Sequence, residues 1–278
     1  MANRCPTIAL AITARILLYF PTRPCTIQLR ALMPTQPHTP TRHDAEELAR
    51  VLVEKFPAID SVLLCGSVAR GDANEWSDID LMITTSDPEL TRAHLREALA
   101  DRTDRVSLIF YRTADFEKEY KKRGLFVAHL IKEGIPLYDK LGLLHQVLTE
   151  PFVPNPDISE EIAHFRARLA PYKHPERYNN NFLFCLSHLY SIGKAIVILA
   201  LARRGILEFN RETAFRRFAI MNPDLAGQVE KVTRLRPFYS LVSSRAPEPL
   251  PFSYHTAAAQ MTDAVNAIES LAERATCP

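Results

Sequence analysis

The first 43 residues contain no aspartate, no glutamate and no lysine, only Arg4, Arg15, Arg23, Arg30 and Arg42 among prolines and one short apolar stretch, Ile8 to Phe20. That stretch is broken by Arg15 and falls well short of the roughly 20 residues a helix needs to cross a bilayer, which argues against an anchor. An acid-poor, arginine-rich leader also suits a transit peptide. The expectation adopted for residues 1–43 is an extension outside the folded body, disordered or not native, with Met33 as an alternative start. The chain is also poor in cysteine chemistry. Its five cysteines are odd in number and far apart, and none forms a C-x-x-C pair. Neither a disulfide framework nor a thiolate zinc site is indicated, and a reducing cytoplasm is the expected location. Nine histidines show no H-E-x-x-H spacing. There is no large excess of either charge, with 34 basic against 32 acidic residues and a net charge of +2, so non-specific nucleic-acid binding is not the chain's main business.

From Asp44 the pattern turns regular, with apolar residues 47% of the chain and room for one large domain or two medium ones. "DAEELARVLVEKF" reads as an amphipathic helix with Leu48, Val51, Leu52 and Phe56 on one side. "SVLLC", "DIDLMITT" and "RVSLIFY" read as three strands, and "DPELTRAHLREALA" as a helix opened by an acid and a proline. The run "EPFVPNPD", with Pro151, Pro154 and Pro156, is the clearest linker in the body. Beyond it the sequence is helical in character. The segment Asn181 to Gly205 is long and apolar, but Ser187, His188, Ser191 and Lys194 interrupt it, so a buried central helix with a polar stripe fits better than a membrane span.

Chemistry concentrates in "LLCGSVARGDANEWSDIDLMI". A strand runs into Gly66 and Ser67, ten residues follow, and Asp78 and Asp80 then sit two apart. Residues i and i+2 of a strand share a face, and two carboxylates brought that close repel unless a cation lies between them. A glycine lets the backbone approach a ligand closely, and a serine hydroxyl offers a donor to phosphate oxygens. Metal on one side and phosphate on the other describe a metal–nucleotide site.

These residues resemble the signature of the nucleotidyltransferases of the DNA polymerase β superfamily, in particular its minimal bacterial branch, from Ser61 to Thr84 with Ala69, Arg70, Gly71 and Ser77. "FVAHLIKEGIPLYD" is similar to the segment that closes that catalytic domain. The resemblance implies Mg²⁺ on Asp78 and Asp80, the triphosphate of an NTP (ATP foremost) on Gly66 and Ser67, and a third acid on the next strand. At that third position this chain has Ser107, a neutral hydroxyl that supplies neither charge nor a base. Asp104 is the nearest substitute by sequence, and Lys194 a candidate phosphate or acceptor contact from the second domain.

The expected fold is α+β. A nucleotidyltransferase core at 44–150, a small mixed sheet with helices on one face, is followed by the linker 151–156 and an all-helical domain at 157–278. The expected function is Mg²⁺-dependent transfer of a nucleoside monophosphate, AMP from ATP foremost, to a hydroxyl of a small molecule, protein or RNA with release of pyrophosphate. The alternative is a catalytically impaired, nucleotide-binding regulatory or antitoxin-like partner. No membrane partner is expected, and a homodimer is left open.

Overall fold

The computed structural model describes residues 38–75, 77–99, 105–155, 157–178, 181–244 and 254–276. The extension expected at 1–43 therefore lies outside the described residues up to position 37. The chain divides into two compact units at Pro156 and Asp157, and each is described by itself.

The first unit opens with α1 (Arg42–Lys55), fixed by a capping box in which the Thr41 hydroxyl accepts from the Asp44 amide and the Asp44 carboxylate accepts from the Thr41 amide. Its buried face is Ala45, Leu48, Ala49 and Leu52. Val51, expected on that face, is largely exposed, because three residues from Leu48 and one from Leu52 put it at the stripe's edge. β1 (Ile59–Cys65) follows, then the short α2 (Gly66–Arg70), β2 (Ile79–Thr85), α3 (Arg92–Ala98), β3 (Val106–Arg112), α4 (Thr113–Lys122), α5 (Leu125–Glu133), β4 (Ile135–Asp139) and α6 (Leu143–Thr149).

The strand order is β3-β2-β1-β4. β1 lies antiparallel to both β2 and β4, whereas β2 and β3 are parallel, the connection between them running through α3. Every residue of the central β1 is buried, as a strand covered on both faces requires. On one face Val62, Leu64, Leu81, Ile83 and Leu108 pack with Leu48 and Leu52 of α1 and Leu95 of α3. Helices were expected on one face of the sheet, but the second is covered too. Tyr111 there stacks at 5.9 Å on Phe116 of α4 and at 6.0 Å on Phe126 of α5, beside the buried Leu63 and Met82. Alternation puts Asp80 and Ser107 on this second face, together with Met82 and Tyr111.

The second unit is helical: α7 (Ile158–Ala167), α8 (Phe182–Arg203), α9 (Arg211–Met221), α10 (Ala226–Thr233), α11 (Arg236–Ser244) and α12 (Tyr254–Thr276). α8 is the one described helix long and apolar enough to cross a membrane, and 78% of its most apolar stretch is buried in the fold. It is a core helix that packs against α12, α11, α9 and α7. Gly193 lets it do so. A Cβ there would stand 2.6 Å from a Val232 methyl and 3.3 Å from Ile268. The expected polar stripe presents little. Ser187 and Ser191 are buried, the Ser191 hydroxyl donating to the Ser187 carbonyl at 3.2 Å, which is how a serine inside a helix satisfies itself.

Candidate functional site

The site is built where β1 ends. The register pairs Cys65 with Asp80 across β1 and β2, and Asp80 with Ser107 across β2 and β3. Three neighbouring strands thus present Cys65, Asp80 and Ser107 in one row. Asp78 lies one residue before β2 begins and is exposed, whereas Asp80 is half-buried.

Gly66 closes the row from above. Its φ of +75° is a conformation that side chains resist, and a Cβ there would sit 2.1 Å from Oδ2 of Asp80. The Asp80 carboxylate therefore lies against the bare backbone of the Gly66-Ser67 turn. Any ligand bridging the carboxylate and the turn has both within reach. The Cys65 thiol donates to the Asp80 carbonyl at 3.5 Å. Burial first, and then the carboxylates of Asp80, Glu133 and Asp78, hold that thiol well above its ordinary pKa. Cys65 is thus neutral and inert.

A second group of residues braces the turn. Arg70, on α2, donates to Glu133 at the end of α5 at 2.7 Å and also pairs with Asp72. His129, one turn earlier on α5, lies 2.9 Å from the same Glu133 oxygen. Burial works against the Glu133 charge, but the His129 and Arg70 hydrogen bonds outweigh it and lower its pKa. Burial likewise opposes the Arg70 charge, and its Glu133 and Asp72 bonds raise its pKa. Glu133 is thus an ionised carboxylate committed to Arg70, holding α2 in place. Sequence reasoning missed this role. Arg70 was legible as part of the motif, but its partner lies 63 residues away, and no spacing rule connects them.

The remaining sequence candidates are placed as follows. Asp104 lies outside the described residues. Lys194 belongs to the helical unit, where its ammonium stands 5.5 Å from the Tyr239 ring centre, with the Arg211 guanidinium 5.3 Å from the same centre. Among the described residues no group of three or more histidine, cysteine or acidic side chains is gathered as a metal cage.

Residues 45–137 match the family described as the nucleotidyltransferase domain. That stretch is a nucleotidyltransferase domain within the chain. Comparison with curated proteins found no match. Among solved structures, the chain is similar to the spectinomycin adenyltransferase AAD(9) from Enterococcus faecialis, determined with ATP and spectinomycin. The identity is 11%, the match covers 83% of this chain and all of that one, and the TM-score is 0.47. A toxin–antitoxin structure with AMP-PNP matches at 18% identity over 45% of this chain and 90% of that one, TM-score 0.28. A nucleotidyltransferase-like protein from Exiguobacterium sibiricum matches at 14% over 82% and 74%, TM-score 0.35.

Proposed function

We propose that the chain transfers a nucleoside monophosphate, AMP from ATP foremost, to a hydroxyl acceptor and releases pyrophosphate. The observation that carries this reading is the strand register. It sets the Asp80 carboxylate against the Gly66-Ser67 turn and directly beside Ser107, so carboxylate and phosphate-binding backbone share one surface.

The donors fit Mg²⁺. Two carboxylates and hydroxyl oxygens are hard ligands, and Mg²⁺ ordinarily takes one or two carboxylates and fills its shell with water and substrate phosphates. Asp78 and Asp80 would hold the ion, which when bound supplies positive charge against the phosphate oxygens. The Gly66 backbone and the Ser67 hydroxyl bind and orient the triphosphate. The acceptor oxygen forms a bond to the α-phosphorus as the bond to pyrophosphate breaks, so holding acceptor and α-phosphate in line is the main task of the protein. Ser107 stands beside Asp80 and can donate to, or accept from, a bound water. It cannot take the acceptor's proton at neutral pH, and a missing general base lowers such rates by about 10² to 10⁴. Slow transfer is therefore expected of this chain.

Lys194 is proposed as a phosphate or acceptor contact, Asp104 as the residue to examine if turnover proves fast, and the cytoplasm as the place of action, without a membrane partner. Folding of residues 44–150 and 157–278 as separate domains about the linker 151–156 is part of the same proposal, as is the option of a homodimer. A second reading rests on Ser107 as well. A chain that keeps Asp78 and Asp80 but lacks the third acid binds the nucleotide and regulates a partner without turnover.

Binding of Mg·ATP to the wild type, Asp78→Asn and Asp80→Asn, read by titration calorimetry, tests the assignment. The wild type binds only with Mg²⁺ present, and both variants lose binding while keeping their melting temperature, because removing charge repulsion opens no core. Unchanged affinity in both variants would overturn the site.

A further inference from the structure

One cluster in the helical unit has chemistry that its structural role does not account for. Arg168 caps the C-terminal end of α7. It is half-buried, and among the described residues it forms no ion pair. Its side-chain partner is His188 of α8, with Nη2 at 2.6 Å from Nε2. Burial lowers its pKa and the Tyr172 phenol partly opposes that, but no carboxylate does. Such an arrangement is costly for a guanidinium, which cannot neutralise itself by losing a proton.

The hydrogen bonding around it has a determined polarity. Arginine can only donate, so His188 Nε2 accepts. A neutral imidazole has one donor and one acceptor, so Nδ1 carries the proton and donates to the Tyr172 hydroxyl oxygen. Burial and the Arg168 charge push the His188 pKa down to about 4, which keeps the ring neutral. Tyr172 is then left with its own proton to donate, and Arg168 with most of its five N–H groups. One turn before Arg168 on α7, His164 has a buried Nε2 with no hydrogen-bond partner. Tyr178 stacks on Tyr172 at 5.5 Å with 12° between the rings, walling one side, and Phe184 lies 6.1 Å from His188 on another. Arg168, His188 and Tyr172 thus form one hydrogen-bonded chain, with His164 one turn away on the same helix.

We propose that Arg168, Tyr172 and His164 form a phosphate-class oxyanion site in the helical unit, made of residues other than those proposed for the nucleotide. An oxyanion is the ligand that such a set lacks: it supplies negative charge to an unpaired guanidinium and lone pairs to the free Tyr172 proton and to His164. His188 is a positioning residue, fixing the Tyr172 hydroxyl so that its proton turns outward. The source of the oxyanion is either inorganic phosphate or the phosphate of a small phosphomonoester, and the aromatic wall of Tyr172 and Tyr178 gives the second an extra stacking surface.

The test uses the full chain labelled with ¹⁵N-histidine, whose imidazole resonances report each ring separately. The His164 and His188 signals are identified by their loss in His164→Gln and His188→Asn. Inorganic phosphate, titrated at constant ionic strength against chloride, moves both signals in the wild type. In Arg168→Gln the apparent affinity falls about tenfold or more, and Arg168→Lys, which keeps the charge but not the fork, lies between. Asp80→Asn, which disables the nucleotide site, leaves this titration unchanged. Replacing phosphate by glycerol phosphate or AMP separates the two sources by which binds more tightly. Signals that do not move in the wild type, or that move equally in Arg168→Gln, would overturn the site. A titration lost in Asp80→Asn would assign the phosphate to the nucleotide site instead.

Discussion

At the scale of single residues, the proposed chemistry rests on one carboxylate and what touches it. Asp80 is held between Gly66 and Ser107, and each neighbour makes a separate prediction. Gly66→Ala places a methyl where the Asp80 oxygen is and forces a non-glycine residue to φ +75°. The cost is about 1 kcal/mol for the left-handed conformation plus displacement of the carboxylate. Mg·ATP affinity should fall at least tenfold while the melting temperature drops by only a few degrees; an unchanged affinity would show that the turn does not touch the ligand. Ser107→Asp supplies the acid that the neighbouring strand lacks. Counting tightly bound Mn²⁺ in the presence of a non-hydrolysable ATP analogue should show a second ion that the wild type holds only weakly, and faster transfer with it. If the ion count and the rate both stay the same, position 107 does not face the metal. This part of the site was legible in the sequence because it depends on spacing two along a strand and on a glycine-serine turn. Ser107 was placed at the third acid's position only by the family resemblance, and the strand register is what sets it beside Asp80. The brace of Arg70, Glu133 and His129 was not legible, since it joins elements through the fold rather than along the chain.

At the scale of elements, α3 shows how local chemistry overrides a reasonable sequence signal. Asp87 and Pro88 look like a helix start, but the helix begins at Arg92. Thr91 caps it, and Arg112 donates to the carbonyls of Asp87, Pro88 and Leu90, which a helix starting at Pro88 would turn inward. A distant arginine decided the boundary. α8 was legible as a core helix because its polar interruptions excluded a span, yet the fate of the serines depended on a self-contained bond that no pattern reports. At Gly193 α8 lies against Val232 of α10 and Ile268 of α12, so Gly193→Ala should destabilise the chain by about 1 to 3 kcal/mol, read as a lower urea midpoint; a midpoint equal to the wild type would contradict that contact. α7 carries a pH dependence. Burial, helped by Asp157 and Glu160, raises Glu161 to about 7. Its protonated form is the one favoured in the folded state, so the stability it contributes is complete below the ordinary pKa of 4.5 and is lost as pH rises through about 7. Glu161→Gln should therefore melt higher than the wild type at pH 8 and equally at pH 4; equal melting at both would show the carboxyl to be solvated.

At the scale of the molecule, strands followed by helices were expected from the order of apolar patterns, the mixed sheet from the family resemblance, and the proline run was read as a linker. What that pattern could not supply was the second cover of helices, because the apolar faces of α4 and α5 become recognisable as covering only once β1 is known to lie in the middle. The two units together leave one claim above the rest, that Asp80 serves nucleotide transfer and not nucleotide storage. Incubation of wild type and Asp80→Asn with ATP labelled at the α-phosphate, with Mg²⁺ and a cell extract as the source of acceptor, tests it most directly. The account predicts slow, Mg²⁺-dependent transfer of label to an acceptor by the wild type and none by Asp80→Asn; label appearing equally with both proteins, or with neither while both bind Mg·ATP, would contradict it.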